Sequence, residues 1–273
     1  MINSIVHYFE TIPNLHRTLI LVFGIMFFWA LEGVMPLFKH NYKKVNHAAV
    51  NLLFTATTLI VNFLFALAMV KVSEWAVAQK FGLLYLTQMP LWVFLIIGVL
   101  LLDFIGAYLI HLIEHKIKWM WKFHMVHHAD THVDTTTANR HHPGESIFRA
   151  SFAIIAVFII GAPMWLVFLY QSTSIVLSQF NHANIRLPEW IDKTLSFVLV
   201  SPNMHKVHHH YKRPQTDSNY GNIFSIWDRI LGTFNYTAVQ ELRYGLDVLE
   251  DSTNENIAYQ FKVPFNNSIK TDY

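Results

Sequence analysis

The 273-residue sequence has no cysteine. That excludes disulfides, thiolate-bound zinc and cysteine-held iron–sulfur clusters. Charge is also scarce. Only 14% of the residues are Asp, Glu, Lys or Arg, against about 25% in soluble domains. The formal net charge of +2 is too small for a nucleic-acid surface, so no nucleic-acid partner is expected. Glu10, Pro13 and Arg17 break up residues 1–17, which argues against a cleaved signal peptide there. No internal repeat or low-complexity segment is visible.

What the chain has in excess is apolar surface. Hydrophobic residues make up 53%, with 22 Phe, 11 Tyr and 8 Trp. One core does not need that much, and a bilayer is the natural place for the rest. Four stretches reach the length of about 20 residues that a membrane crossing requires. They are 18–37, broken by Glu32 near its end; 48–70; 90–113, with Asp103 in its second half; and 150–180, with Gly161 and Pro163 near its middle. An acid inside an apolar span usually faces the bundle interior and has a partner or a function there, and Asp103 is expected to do so.

The loops set the orientation. Lys39, Lys43 and Lys44 lie between the first two stretches with no acid beside them, so this loop is expected in the cytoplasm. Lys71 and Lys80 of the next loop are offset by Glu74, so that loop faces out. The third span then returns His111 and the basic segment Lys116, Lys118 and Lys122 to the cytoplasmic side. The fourth stretch is flanked by histidines at 141–142 and at 182. Two full crossings need about 40 residues. A hairpin that dips in and returns, broken at Gly161-Ala162-Pro163, fits the length better. A single kinked span would instead put His182 across the membrane. After 182 the chain is polar and mixed, with a helix starting at Ser201-Pro202, and Pro264 and the Asn-rich end read as a frayed tail.

The fold class expected is therefore all-α: an integral-membrane bundle of about four embedded helical segments, capped by a helical, histidine-rich cytoplasmic region. Residues 1–110 form the membrane-spanning part. Residues 111–273, which include membrane segment 150–180, form the catalytic part.

Seventeen histidines are the second excess, and neutral imidazole is the commonest metal ligand. His111-Leu-Ile-Glu-His115 is an i, i+4 pair. His124-Met-Val-His127-His128 and His205-Lys-Val-His208-His209 each combine i, i+3 and i+4 spacing. On a helix, residues three and four apart share a face, so each box directs two imidazoles to one point. One zinc ion takes three or four protein ligands. The boxes alone hold eight histidines, so two ions are implied. His142 in Arg140-His141-His142-Pro143 and His182 in Asn181-His182-Ala183-Asn184 are further candidates. His132, His141 and His210 stand evenly between ligand and neighbour, and His7, His16, His40 and His47 read as interfacial loop residues. His142-Pro143-Gly144 looks like a haem-binding motif, but Glu145 follows and no small haem domain surrounds it. Ligating histidines usually donate their second N–H to a carboxylate or carbonyl. Among Asp103, Glu114, Asp130, Asp134, Glu145, Asp217 and Asp228, the readiest partners are Asp134 and Asp228, with Asn181 beside them.

At this point the chain resembles the fatty acid hydroxylase and sterol desaturase superfamily. The resemblance rests on His111-x3-His115, Phe123-His124-x-Val126-His127-His128, Arg140-x-His142-Pro143 and Asn181-His182-x-Asn184. It continues through Pro202-x2-His205-x2-His208-His209, Asn219-Tyr220-Gly221 and Trp227-Asp228-Arg229-x2-Gly232-Thr233. These motifs run in order over 111–233, while the first hundred residues match only in their membrane-spanning character. Leu112 stands where the family commonly has Arg. The resemblance implies a cytoplasm-facing pair of iron ions held by His111, His115, His124, His127, His128, His142, His182, His205, His208 and His209. It implies O2-dependent hydroxylation of a sterol, fatty acyl, sphingoid, carotenoid or ether lipid, with desaturation at the same site as the alternative. It also implies electrons from a separate cytochrome b5-like or ferredoxin-like protein. The membrane would be the inner membrane of a bacterium or the endoplasmic reticulum of a eukaryote. Imidazole suits iron and zinc alike, so zinc is a possible substitute, but redox-inert zinc cannot break an unactivated C–H bond. A metal transporter, with ligands inside its spans, and a zinc hydrolase, which needs only three or four ligands, fit the histidine pattern less well.

Overall fold

A computed structural model of the chain describes residues 2–39, 42–238 and 241–270. Among these residues no β-strand forms, and only two isolated bridges pair extended backbone. Helix α1 (Ile2–Glu10) precedes α2 (Asn14–Val34), which follows the extended backbone of Pro13. Next come α3 (Lys44–Ala78) and α4 (Leu91–Asp103). A π-helical segment, Phe104–Leu109, joins α4 to α5 (Ile110–Lys116) without a break. The remaining helices are α6 (Lys118–His128), α7 (Pro143–Ile160), α8 (Met164–His182), α9 (Glu189–Leu195), α10 (Pro202–His208), α11 (Ile226–Ile230) and α12 (Ile257–Lys262).

Four helical stretches are long and apolar enough to cross a membrane: Asn14–Val34, Lys44–Tyr85, Leu91–Lys116 and Pro143–Ile160. Helix α3 has 35 residues, or about 52 Å at 1.5 Å per residue. That exceeds a hydrocarbon core of about 30 Å, so one of its ends rises into the polar cap. The chain reverses between α7 and α8 at Gly161, in the left-handed conformation at φ 75°. A Cβ there would lie 2.1 Å from the Phe81 carbonyl, so both the turn and the close approach require glycine. The reversal expected at Gly161, Ala162 and Pro163 is therefore present, but its legs run Pro143–Ile160 and Met164–His182, so the hairpin spans about the 40 residues that two crossings need and is longer than the 150–180 stretch read from the sequence. Its core includes Ala156, Val157, Ile160 and Leu166, packed with Leu84 and Leu102.

Buried acids tie the spans to the cap. Glu32 binds the Lys44 ammonium at 2.8 Å and accepts the backbone N–H groups of Thr135 and Asn184. Asp103 accepts the backbone N–H groups of Ile223 and Phe224, the indole of Trp227 and the hydroxyl of Tyr170. It thus faces the bundle interior and holds the 223–227 loop onto the third span.

Two expectations are corrected. His47 is not an interfacial loop residue. It lies inside α3, fully buried, with Nε2 2.8 Å from Asp130 and Nδ1 3.3 Å from Asp134. The segment from Pro264 onward is not frayed as a whole, because Pro264 is buried and Ile269 packs with Trp121 and Met125 of α6. Their apolar side chains have a face to bury there. His40 and residues 271–273 lie outside the described residues.

Candidate metal centre

Two groups of buried histidines meet at the cap. His111 and His115 of α5, His124 and His128 of α6, and His208 of α10 form the first. His127 of α6, His182 of α8, His205 of α10 and His209, just after α10, form the second. Within each group one ring nitrogen per residue lies within 4.8 Å of the others. The i, i+3 and i+4 spacing explains the division. His124 and His128 share one face of α6, and His127 lies beside them toward the other group. The groups touch, since the rings of His128 and His209 stack at 4.7 Å.

Hydrogen bonds fix the tautomers. His111 Nδ1 donates to the Tyr220 carbonyl at 2.8 Å, His182 Nδ1 to that of Ser178 at 2.8 Å, and His208 Nδ1 to that of Ser218 at 2.7 Å. Carbonyls only accept, so in these neutral rings Nε2 carries a bare lone pair. His124 Nδ1 meets the Glu145 carboxylate at 2.7 Å and is fixed in the same way.

The bare nitrogens then face one another. His111 Nε2 lies 3.1 Å from His124 Nε2. Around His182 Nε2 stand the Nε2 atoms of His127, His205 and His209, at 3.2, 3.0 and 3.2 Å. A lone pair cannot hydrogen-bond a lone pair, and three rings cannot all donate to one nitrogen. A central cation removes the conflict. Imidazole–metal bonds of about 2.1 Å separate adjacent ligand nitrogens by about 3.0 Å at right angles and about 3.4 Å at the tetrahedral angle. The observed spacings fall in that range. His208 Nε2 and both nitrogens of His115 are buried without a hydrogen-bond partner, which also fits a cation at the centre of the first group.

Burial keeps the rings neutral, as ligation demands. It pulls His124 down to about 4 and His208 to about 3, and it lowers His127, His128, His205 and His209, with the neighbouring imidazoles adding to the effect.

Nine of the ten expected histidines are brought together, and His142 is not. Its Nδ1 accepts the Gly144 N–H at the start of α7, and its ring lies 5.1 Å from Phe123. His141 is nearer the centre. It stacks on His127 at 4.8 Å, and its Nδ1 meets Glu145 at 2.8 Å. His132 stacks on Tyr42, and His210 Nδ1 accepts the Arg243 N–H. His7 and His16 lie on α1 and α2, away from both groups.

The supporting residues differ from those the sequence suggested. Asp134 caps a 3₁₀ turn, Thr135–Asn139, and accepts the Tyr42 hydroxyl. Asp228 acts one step away from the histidines. It accepts the N–H groups of Tyr220 and Gly221 and so fixes the carbonyl that receives His111. A Cβ at Gly221 would sit 2.9 Å from its Oδ2. Asn181 donates to the Asn222 carbonyl. The direct carboxylate is Glu145, which also binds Arg149; Arg149 in turn reaches Glu114 at 2.6 Å. Its i, i+4 spacing from His141 and Arg149 was the available signal. Lys206, fully buried between His205 and His208 in the chain, reaches the carbonyls of Asn181, Ala183 and Pro202.

Comparison with known proteins agrees with this site. The chain is 25% identical over 148 residues to ornithine lipid hydroxylase of Rhizobium tropici, covering 54% of this chain and 44% of that protein. It is 31% identical over 148 residues to alkylglycerol monooxygenase of Homo sapiens, covering 52% and 30%. It is 28% identical over 138 residues to a cholesterol 25-hydroxylase-like protein of Danio rerio, covering 50% and 53%. The aligned region is thus about a third to a half of the length of these relatives. No solved structure matches the chain. The fatty acid hydroxylase family model matches residues 95–233, just over half of the sequence and all of its histidine boxes, and the chain belongs to that family.

Proposed function

We propose that this chain is a multi-pass membrane oxidoreductase that hydroxylates a lipid with O2, using two iron ions held by the nine convergent histidines. The observation that carries the reading is the approach of histidine Nε2 atoms to 3.0–3.2 Å of one another in two adjacent groups, with His111 and His115 at the end of the third membrane-length stretch and the others on or just after α6, α8 and α10. His111, His115, His124, His128 and His208 would hold one ion; His127, His182, His205 and His209 would hold the other. When bound, the iron pair supplies O2 activation and removal of hydrogen from an unactivated C–H bond.

The remaining work falls to the protein. The carbonyls of Tyr220, Ser178 and Ser218, with Glu145, keep Nε2 of their histidines facing inward. Burial keeps those rings neutral and excludes water that would intercept a reactive centre. The spans bring lipid to the cap, which Lys39, Lys43 and Lys44 favour placing in the cytoplasm. One oxygen atom would enter the product and the other would leave as water, with two electrons from a separate cytochrome b5-like or ferredoxin-like carrier and two protons from solvent. The relatives' names supply the substrate class, a membrane lipid or sterol.

Expression under 18O-labelled O2, with mass analysis of total lipid, tests the reading. The expected product carries one labelled oxygen and disappears in a His128→Ala variant. A lipid two hydrogens lighter and unlabelled would overturn hydroxylation. Active protein holding one metal ion or none would overturn the paired site.

A further inference from the structure

A groove of about 480 Å³ runs along the outer side of α6, between Lys118, Trp119 and Lys122 on one wall and Pro264, Phe265 and Asn267 on the other. Phe123 forms its floor. Lys118 and Lys122 are four residues apart and share one face of α6. Among the described residues no Asp or Glu lines the groove. Among the described residues Lys122 makes long contacts, 3.3 Å to Asn267 Oδ1 and 3.5 Å to the Asn266 carbonyl. Helix α6 begins at Lys118, so the positive end of its dipole lies at the same rim.

The groove also belongs to the membrane boundary. Trp119 is 56% exposed and Phe265 68%, and interfacial aromatics of this kind sit at headgroup level. Trp119 and Phe123 pack edge-on against Phe148 at 5.1 and 5.4 Å. Phe148 lies in the second turn of the membrane-length helix α7, where Ile147 beside it is exposed. The cationic wall therefore continues into an apolar surface at the depth where acyl chains begin.

We propose that this groove binds the phosphate headgroup of an anionic glycerophospholipid, with Lys118 and Lys122 on the phosphate and Trp119 and Phe265 against the glycerol and upper acyl chain. The site goes beyond the oxygenase reading and does not depend on it. The aromatic floor favours a lipid over an acidic carrier protein, whose surface would meet the lysines but leave the aromatics unfilled.

Binding is measured without turnover. Purified full-length protein in detergent is titrated with dihexanoyl phosphatidylglycerol, dihexanoyl phosphatidylcholine and inorganic phosphate, following tryptophan fluorescence. Wild type is expected to prefer phosphatidylglycerol over phosphatidylcholine by about 30-fold, since each of the two lysines near an anionic headgroup contributes about fivefold. K118E/K122E is expected to lose the preference while keeping its metal content, and K118R/K122R to keep both. Equal affinity for the two lipids, or an unaltered preference in K118E/K122E, would overturn the proposal. So would inorganic phosphate binding as tightly as phosphatidylglycerol, or an acidic redox protein protecting Lys118 from acylation where phosphatidylglycerol does not.

Discussion

Replacing Glu145 by Gln isolates the role of the carboxylate beneath the first histidine group. Oε1 of Glu145 meets His124 Nδ1 at 2.7 Å, His141 Nδ1 at 2.8 Å and Arg149 Nε at 3.0 Å. Its Oε2 is buried without a partner. Gln keeps the shape and one accepting oxygen but removes the charge, and charge-assisted hydrogen bonds are roughly twice as strong as neutral ones. Its amide nitrogen would occupy the Oε2 position and leave a buried donor unsatisfied, costing about 1–3 kcal/mol. Loss of such an outer partner weakens metal binding by about 10–100-fold, or about 1.4–2.7 kcal/mol. The effect should be selective, because His124 belongs to the first group and His182, the centre of the second, is fixed by the Ser178 carbonyl. Chelator titration followed by elemental analysis reads this directly. In the E145Q protein one ion should leave at about 10–100-fold lower chelator concentration, and the other should stay at the wild-type value. If both ions leave together at the wild-type concentration, Glu145 does not set the basicity of His124 and the reasoning fails.

Lys206→Met should do the opposite, loosening the second group by about tenfold, because its ammonium ties α10 to the last carbonyls of α8 beside His182; a chelator titration identical to wild type would refute that tie. His142→Asn should keep full metal content, since Asn also caps helices, while His142→Ala should cost about 1 kcal/mol in thermal unfolding with metal unchanged; loss of an ion from the Asn variant would restore His142 as a ligand. Burial lowers His124 to about 4 and His208 to about 3, so protons compete for these nitrogens only when the pH approaches those values. Metal should therefore survive dialysis well below the pH near 6.5 at which exposed imidazoles would release it, and be lost only as the pH approaches about 4. Single cysteines at Lys43 and Arg186 should react from one side of the membrane and at Lys80 from the other, because Asn184 hydrogen-bonds Phe38 while residues 81–82 pack on the hairpin apex.

The sequence was most readable where helix periodicity does the work. The box spacings put His124 and His128 on one face, and Gly161-Ala162-Pro163 marked the hairpin because a left-handed turn and a missing N–H cannot continue a helix. What escaped depends on which elements meet. Adjacent histidines at 141 and 142 are equivalent on paper; extended backbone at 142 turns one ring outward to cap α7 while 141 faces His127. Glu145 looked no different from Asp134, since only the packing of α6 against α7 brings it beneath His124. His47 stands near a polar loop in sequence, yet the helix that contains it starts at Lys44 and meets Asp130 from another segment.

The α7–α8 hairpin has a mechanical consequence. Its two legs, of 18 and 19 residues, are each about 27–28 Å long, meet at the apex at Gly161 and both pack on α4. At their other ends, one leg carries Glu145, which holds a histidine of the first group, and the other carries His182, at the centre of the second. A change in the angle between the legs would therefore change the separation of the two histidine groups.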